Sequence, residues 1–140
     1  MLARMQVRAY EARDRVELER LGRLMFPDAE DPFGSDVVWF VIDRGDGRLG
    51  GYVEVGTRPY AEGCDTSPVA YVEAWYVDED LRRKGWGGRL FAAVEEWARA
   101  HGHAELASGS LLDNHTSIAA HKSLGFEEIE RQVHFAKRLR

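Results

Sequence analysis

Residues 69–101 read Val69-Ala-Tyr-Val-Glu-Ala-Trp-Tyr-Val77, then Asp78-Glu-Asp-Leu-Arg-Arg-Lys-Gly-Trp-Gly-Gly88, then Arg89-Leu-Phe-Ala-Ala-Val-Glu-Glu-Trp-Ala-Arg-Ala-His101. The first piece is rich in β-branched and aromatic residues and predicts a long buried strand. The last places Leu90, Phe91, Val94, Trp97 and Ala98 on one stripe of a helix, all read as core, with Gly102 where a left-handed cap is expected. Between them lie three consecutive cations, Arg82, Arg83 and Lys84, and three glycines, Gly85, Gly87 and Gly88, around Trp86.

A strand, a glycine-rich turn and a helix in that order have a chemical use. The first N–H groups of a helix lack intrahelical partners and carry the positive end of its dipole. Glycines there remove the Cβ atoms that would hold a ligand away, so an anion of phosphate size is expected at this loop. The alternative is a plain turn with a solvated basic face. The spacing is neither Gly-x-x-x-x-Gly-Lys-[Ser/Thr] nor Gly-x-Gly-x-x-Gly, because the last glycine position of the latter falls on Leu90.

Working outward, the 140 residues predict one domain, 1–140, with a core of its own. Hydrophobic content of 44% and charged content of 31% belong to a globular chain, and no apolar run reaches membrane-spanning length. No secretory leader is recognised, and Cys64 is alone, which excludes an internal disulfide and a Cys-based metal site. A cytoplasmic protein without membrane or metal partners is the expectation. The net charge of −5 argues against nucleic acid and suits a small cationic amine.

Strands are expected over 5–10, 37–43, 49–58, 69–77 and 104–108, with a closing strand over 129–139 patterned by Val133, Phe135 and Leu139. Helices are expected over 14–25, N-capped by Asp14, over 89–101, and from Asn114 or Ser117 to Ser123. Gly45 and Gly47 mark a hairpin turn. This is an α+β fold: a mixed, mostly antiparallel central sheet flanked by helices.

Arg82-x-x-Gly85-x-Gly87 after a strand ending at Val77 resembles the acetyl-CoA pyrophosphate loop of the GCN5-related N-acetyltransferases. A second signature is Asn114 followed by a helix ending in Leu124-Gly125-Phe126. Residues 58–69 leading into Val72-Glu73, with Leu106-Ala107-Ser108 and Phe126-Glu127-Glu128-Ile129-Glu130-Arg131, are similar to the aminoglycoside 6′-N-acetyltransferases. The resemblance implies acetyl transfer from acetyl-CoA to a primary amine. It implies cofactor contacts from Trp75, Tyr76 and Val77, whose backbone would pair with pantetheine, from residues 82–88, and from Asn114.

For the acceptor, the resemblance implies Phe26, Tyr60, Glu73 and Glu130 in an aminoglycoside pocket, Glu73 also taking the amine's proton. His121 stands where the family usually has the tyrosine that protonates the departing thiolate. The group has an acid at the position of Gly109, and a longer segment between Phe26 and Trp39, so a weaker pocket is expected here. Relatives often pair through their C-terminal strands, which implies a homodimer.

Each reading has a plainer counterpart. Glu73 shares a parity with Tyr71, Trp75 and Val77 and suits a solvent-facing position. Trp86 packs on its helix, Tyr60 and Phe26 fill loops, and His103, His115 and His134 lie on the surface. Acetylation of another small amine or a protein N-terminus, or acyl-CoA sensing without catalysis, remain the alternative functions.

Overall fold

The computed structural model describes residues 4–34 and 36–140. They fall into two compact units, Met1–Gly109 and Ser110–Arg140.

The first unit holds β1 (Gln6–Ala9), α1 (Arg15–Met25), β2 (Val38–Asp43), β3 (Leu49–Arg58), β4 (Val69–Val77), α2 (Trp86–Ala100) and β5 (Leu106–Ser108). The five strands form one sheet in chain order, antiparallel except for the parallel β4–β5 pair. This is the α+β, mostly antiparallel sheet expected, with the first and fifth strands shorter than the sequence suggests. The turn between β2 and β3 also forms as expected: Gly45 and Gly47 have φ of 82° and 86°, and the Arg44 N–H donates to the Arg48 carbonyl at 3.0 Å.

Central position explains β3. Its first eight residues are all buried, as a strand covered on both faces requires. Gly51 is needed there, because a Cβ would sit 2.5 Å from the Tyr76 carbonyl oxygen on β4. Leu18 and Leu21 of α1 pack with Val41, Leu49, Tyr52 and Ala74 in one cluster, edged by Tyr10, Phe33, Trp39 and Tyr76. The α2 stripe buries Leu90, Phe91, Val94 and Ala98. Each such side chain contributes roughly 1.5–3 kcal/mol.

A histidine and a tryptophan differ from expectation. Trp97 is only half-buried, flanked by the His101 ring at 4.9 Å and the His103 ring at 5.8 Å. His103 is half-buried too, its Nδ1 3.2 Å from the Pro68 carbonyl oxygen. Trp97 lies near the end of α2, where the helix runs out into the Gly102 cap (φ 80°) and solvent reaches its ring.

Asp14 is also used differently. Its side chain does not cap α1 but accepts two hydrogen bonds from Arg8, at 2.7 and 2.8 Å, and one from the Glu11 N–H. Arg8 reaches Asp43 as well, at 2.9 Å, and so ties β1 and β2 to the start of α1. The second unit contains α3 (His115–Ser123), whose Asn114 cap accepts from the Ser117 N–H at 3.0 Å. The closing strand does not form: residues 126–140 are neither helix nor strand, and Val133, Phe135 and Leu139 are exposed. Alternation alone cannot make a strand, which needs a neighbour to pair with, and among the described residues none pairs with this segment.

The Arg8 guanidinium holds the buried Asp14 carboxyl below its usual range. A depressed folded-state pKa gives stability that is present above the unfolded value and is lost as pH falls. Asp14→Asn should therefore cost about 2–3 kcal/mol at neutral pH, and that gap should narrow as pH falls below the ordinary value of about 3.8, read by urea denaturation.

Candidate active site

The site is built at the carboxyl end of β4. Its residues Ala70, Tyr71 and Val72 pair with Leu106, Ala107 and Ser108 of β5. Beyond them, β4 keeps β3 on one side and, among the described residues, has no strand on the other. Trp75, Tyr76 and Val77 are thus on a half-open edge of the sheet. Trp75 turns its ring onto Phe91 of α2, 4.8 Å between centroids and nearly perpendicular.

The chain leaves β4 through a buried Leu81 and reaches Gly85, which at φ 88° occupies the left-handed region before α2 begins. No side chain caps this helix, so its first N–H groups are presented outward. A Cβ on Gly88 would meet nothing within 4 Å, whereas one on Gly87 would come 3.2 Å from the Trp75 ring. Open space above uncapped N–H groups fits an anionic phosphate. Arg83 adopts a positive φ of 60°, an uncommon conformation for a side chain-bearing residue.

The cations around this turn are not all projecting. Arg82 folds back, its Nε donating to the Val77 carbonyl at 2.8 Å with its guanidinium 5.6 Å from the Tyr76 ring. Arg89 lies 4.5 Å over Trp86, so that indole stacks under a cation of its own helix. Arg83 and Lys84 are exposed.

At the other end of the half-open edge, β4 bulges. Glu54 pairs with Ala74 and Val55 with Val72, so Glu73 is the extra residue between them. The bulge breaks the simple parity read from the sequence. Arg58 of β3 holds the Glu73 carboxylate with two bonds, Nε to Oε1 at 3.0 Å and Nη2 to Oε2 at 2.8 Å. The same guanidinium lies 3.6 Å over the Tyr71 ring. Tyr71 in turn reaches Gly109, where an added Cβ would be 3.1 Å from the tyrosine oxygen.

Sequence reasoning missed Glu54. This carboxylate is 3% exposed, accepts from the Trp39 indole N–H at 2.9 Å and from the Gly34 backbone, and is pushed above its usual pKa chiefly by burial. The signal was available: Glu54 is a lone acid in an apolar strand, just as Glu73 is. Arg58 was overlooked because a cation at a strand end reads as solvated. Phe26 ends α1 at 39% exposure, and Tyr60 is 68% exposed in the loop after β3.

In the second unit, Asn114 spends its side-chain oxygen on the α3 cap. His121 is half-buried, its ring edge-on to Phe126 at 5.3 Å. Its Nδ1 lies 2.7 Å from the Ser117 carbonyl, which only accepts, so Nδ1 carries the proton. Glu130 is exposed and accepts from Gln132 at 3.0 Å. Lys122 and Arg131 both pair with Glu128 and lower its pKa, Arg131 most. The described residues hold no cluster of metal-ligating side chains.

The model of the acetyltransferase (GNAT) family matches residues 2–126. The chain belongs to that family. Among its relatives, this GNAT chain is similar to an aminoglycoside N(6′)-acetyltransferase type 1 of Stenotrophomonas maltophilia, 39% identical over 83% of this chain and 80% of that one. A namesake from Serratia marcescens is 45% identical over 67% of this chain and 65% of that protein. Its fold matches that of AAC(6′)-Iy in complex with a CoA-S-monomethyl-acetylneamine bisubstrate analogue, with TM-score 0.87, 28% identity and coverage of 98% and 100%. It also matches AAC(6′)-Ih from Acinetobacter baumannii, with TM-score 0.86, 30% identity and coverage of 96% and 99%.

A carboxyl group whose folded-state pKa is raised holds its proton longer than in the unfolded chain. Stability then declines as pH rises through the window above the unfolded value, near 4.5. Glu54→Gln keeps one acceptor for Trp39 but loses that for Gly34, so it should melt below the parent at acidic pH. Because the variant cannot ionise, the difference in Tm should shrink as pH rises above about 4.5.

Proposed function

We propose that this GNAT protein transfers an acetyl group from acetyl-CoA to a primary amine, the 6′-amine of an aminoglycoside. The observation that carries the reading is the juxtaposition of β4's half-open edge with the uncapped, glycine-lined start of α2. The names of its relatives, aminoglycoside N(6′)-acetyltransferases, supply the acceptor class.

Acetyl-CoA supplies the thioester whose carbonyl carbon the amine attacks. The N–H groups of Gly87 and Gly88, with Arg83 and Lys84 beside them, receive the pyrophosphate. The β4 edge over Trp75, Tyr76 and Val77, beside which no strand lies among the described residues, receives the pantetheine arm as an added strand and polarises the carbonyl oxygen. Glu73 accepts a hydrogen bond from the amine and, through water, its proton. The C–S bond then breaks, and the thiolate takes a proton. On the family resemblance we assign that proton to His121, a contact to the CoA arm to Asn114, and acceptor contacts to Phe26, Tyr60 and Glu130. We place the protein in the cytoplasm as a homodimer, an assignment that rests on the resemblance and on the lone Cys64. Among the described residues no helix is long and apolar enough to cross a membrane.

Two measurements test this. Gly88→Val adds a side chain to open space and should fold like the parent, yet weaken acetyl-CoA in calorimetry at least about tenfold, near 1.4 kcal/mol. Gly87→Val is the poorer probe because its side chain also meets Trp75. In a thiol-release assay kanamycin should turn over while paromomycin, with a hydroxyl at the 6′ carbon, should not be acetylated there. The KM for kanamycin should rise with salt, since attraction of its ammonium groups by exposed acids such as Glu130 is screened beyond about 8 Å at ~0.15 M. Equal turnover of the two drugs, or a simple diamine acetylated while neither drug is, rejects the aminoglycoside and leaves a general amine acetyltransferase.

A further inference from the structure

An acidic residue assigned to bind an ammonium is expected to present its charge. Glu73 does not. Both its oxygens are engaged by one guanidinium, that of Arg58, in the two-pronged geometry that fits carboxylate best. Most half-exposed ion pairs contribute little, but a bidentate pair held from a third side is the exception. That third side is Tyr71, whose ring lies 3.6 Å beneath the Arg58 guanidinium.

The strand register explains how three residues far apart in the chain meet. Arg58 faces Val69 across the ladder, and Gly56 faces Tyr71. A long side chain on Arg58 therefore runs back along β4 over Tyr71, its diagonal neighbour. Without the bulge, Glu73 would have a partner residue of its own on β3. As the extra residue it has none in the ladder, and its carboxylate is positioned by Arg58 instead.

We propose that Arg58 is a positioning and specificity-determining residue for the acceptor amine. Stacked on Tyr71, it clamps the Glu73 carboxylate in one orientation and offers it to the amine as a neutral pair, not as a free anion. The inference rests on the acetyl-transfer reading and adds to it how the acceptor is chosen. A carboxylate has about four acceptor positions, so the two that Arg58 uses leave room for an amine. Attraction for a polycation at this point is reduced by the clamp, and geometric control over the amine is increased. The acceptors favoured are those whose reacting amine is held by hydrogen bonds more than by charge.

Arg58→Ala and Arg58→Lys test the clamp, with melting temperature confirming that each variant folds. Removing the guanidinium frees the anion and loosens it. For Arg58→Ala at low ionic strength, KM for kanamycin should fall about threefold while kcat falls about tenfold, two parameters moving as no general structural weakening moves them. At high ionic strength the KM gain should vanish and the kcat loss should persist. Arg58→Lys keeps the charge without the fork, so KM should return to the parent value and kcat only partly recover. Acetyl-CoA affinity should be unchanged in both.

A folded Arg58→Ala variant with parental kcat overturns the proposal, as does one in which KM rises and kcat is untouched. If kanamycin is not acetylated by the parent but a diamine is, the acceptor class is wrong. The same split, measured with the diamine, then decides the clamp. A parent that binds acetyl-CoA and acetylates no amine overturns both readings.

Discussion

The structure depends on a strand that is paired on both sides for only part of its length. Backbone N–H and C=O groups removed from water must find partners, and among the described residues β4 has a strand on both sides only as far as Val72. Past that point β5 has ended at Ser108, and Gly109 carries the chain away. A few residues further on, α2 begins with its own N–H groups uncapped. Among the described residues, a strand edge with no neighbouring strand and a helix start with no side-chain cap therefore lie on either side of one turn. The remainder of the first unit holds this arrangement still. Trp75 against Phe91 locks β4 to α2, while the buried cluster around Tyr52 holds α1 and the buried stripe of α2 completes the core.

The acids beside this edge show how context divides similar residues. Glu54 and Glu73 lie close across the same pair of strands, yet one is sealed under Trp39 and the other is gripped in the open by Arg58. Burial favours the neutral form of Glu54, which then serves as a hydrogen-bonding post between β3, Trp39 and the Gly34 backbone. Tyr52, two residues earlier and fully buried, is also kept neutral by burial and by Glu54. A single β-bulge separates these environments.

Much of this was legible because it is local. The central strand was bounded at Val69 and Val77 by β-branched and aromatic content, and the α2 stripe by its spacing. Gly45, Gly47 and Gly102 take the positive φ that their turns demand. The glycine turn before α2 was legible for the same reason, with Gly85 at φ 88°. Where the reading failed, the cause was non-local. Asp14 has the composition and position of a cap, but Arg8 from another strand claims its oxygens. Val133, Phe135 and Leu139 alternate like a strand, but alternation states which side is apolar and not whether a partner exists.

By itself, then, the sequence determined what periodicity and turn chemistry can carry: five of the strands, the helices, the α+β class and the glycine turn before α2. Tertiary structure alone decided which charges meet. The Arg58–Tyr71–Glu73 stack requires a register between β3 and β4 and one extra residue in the ladder. Neither is written in local composition, because a hydrogen-bond register is a relation between strands, and a one-residue shift in it changes every cross-strand neighbour.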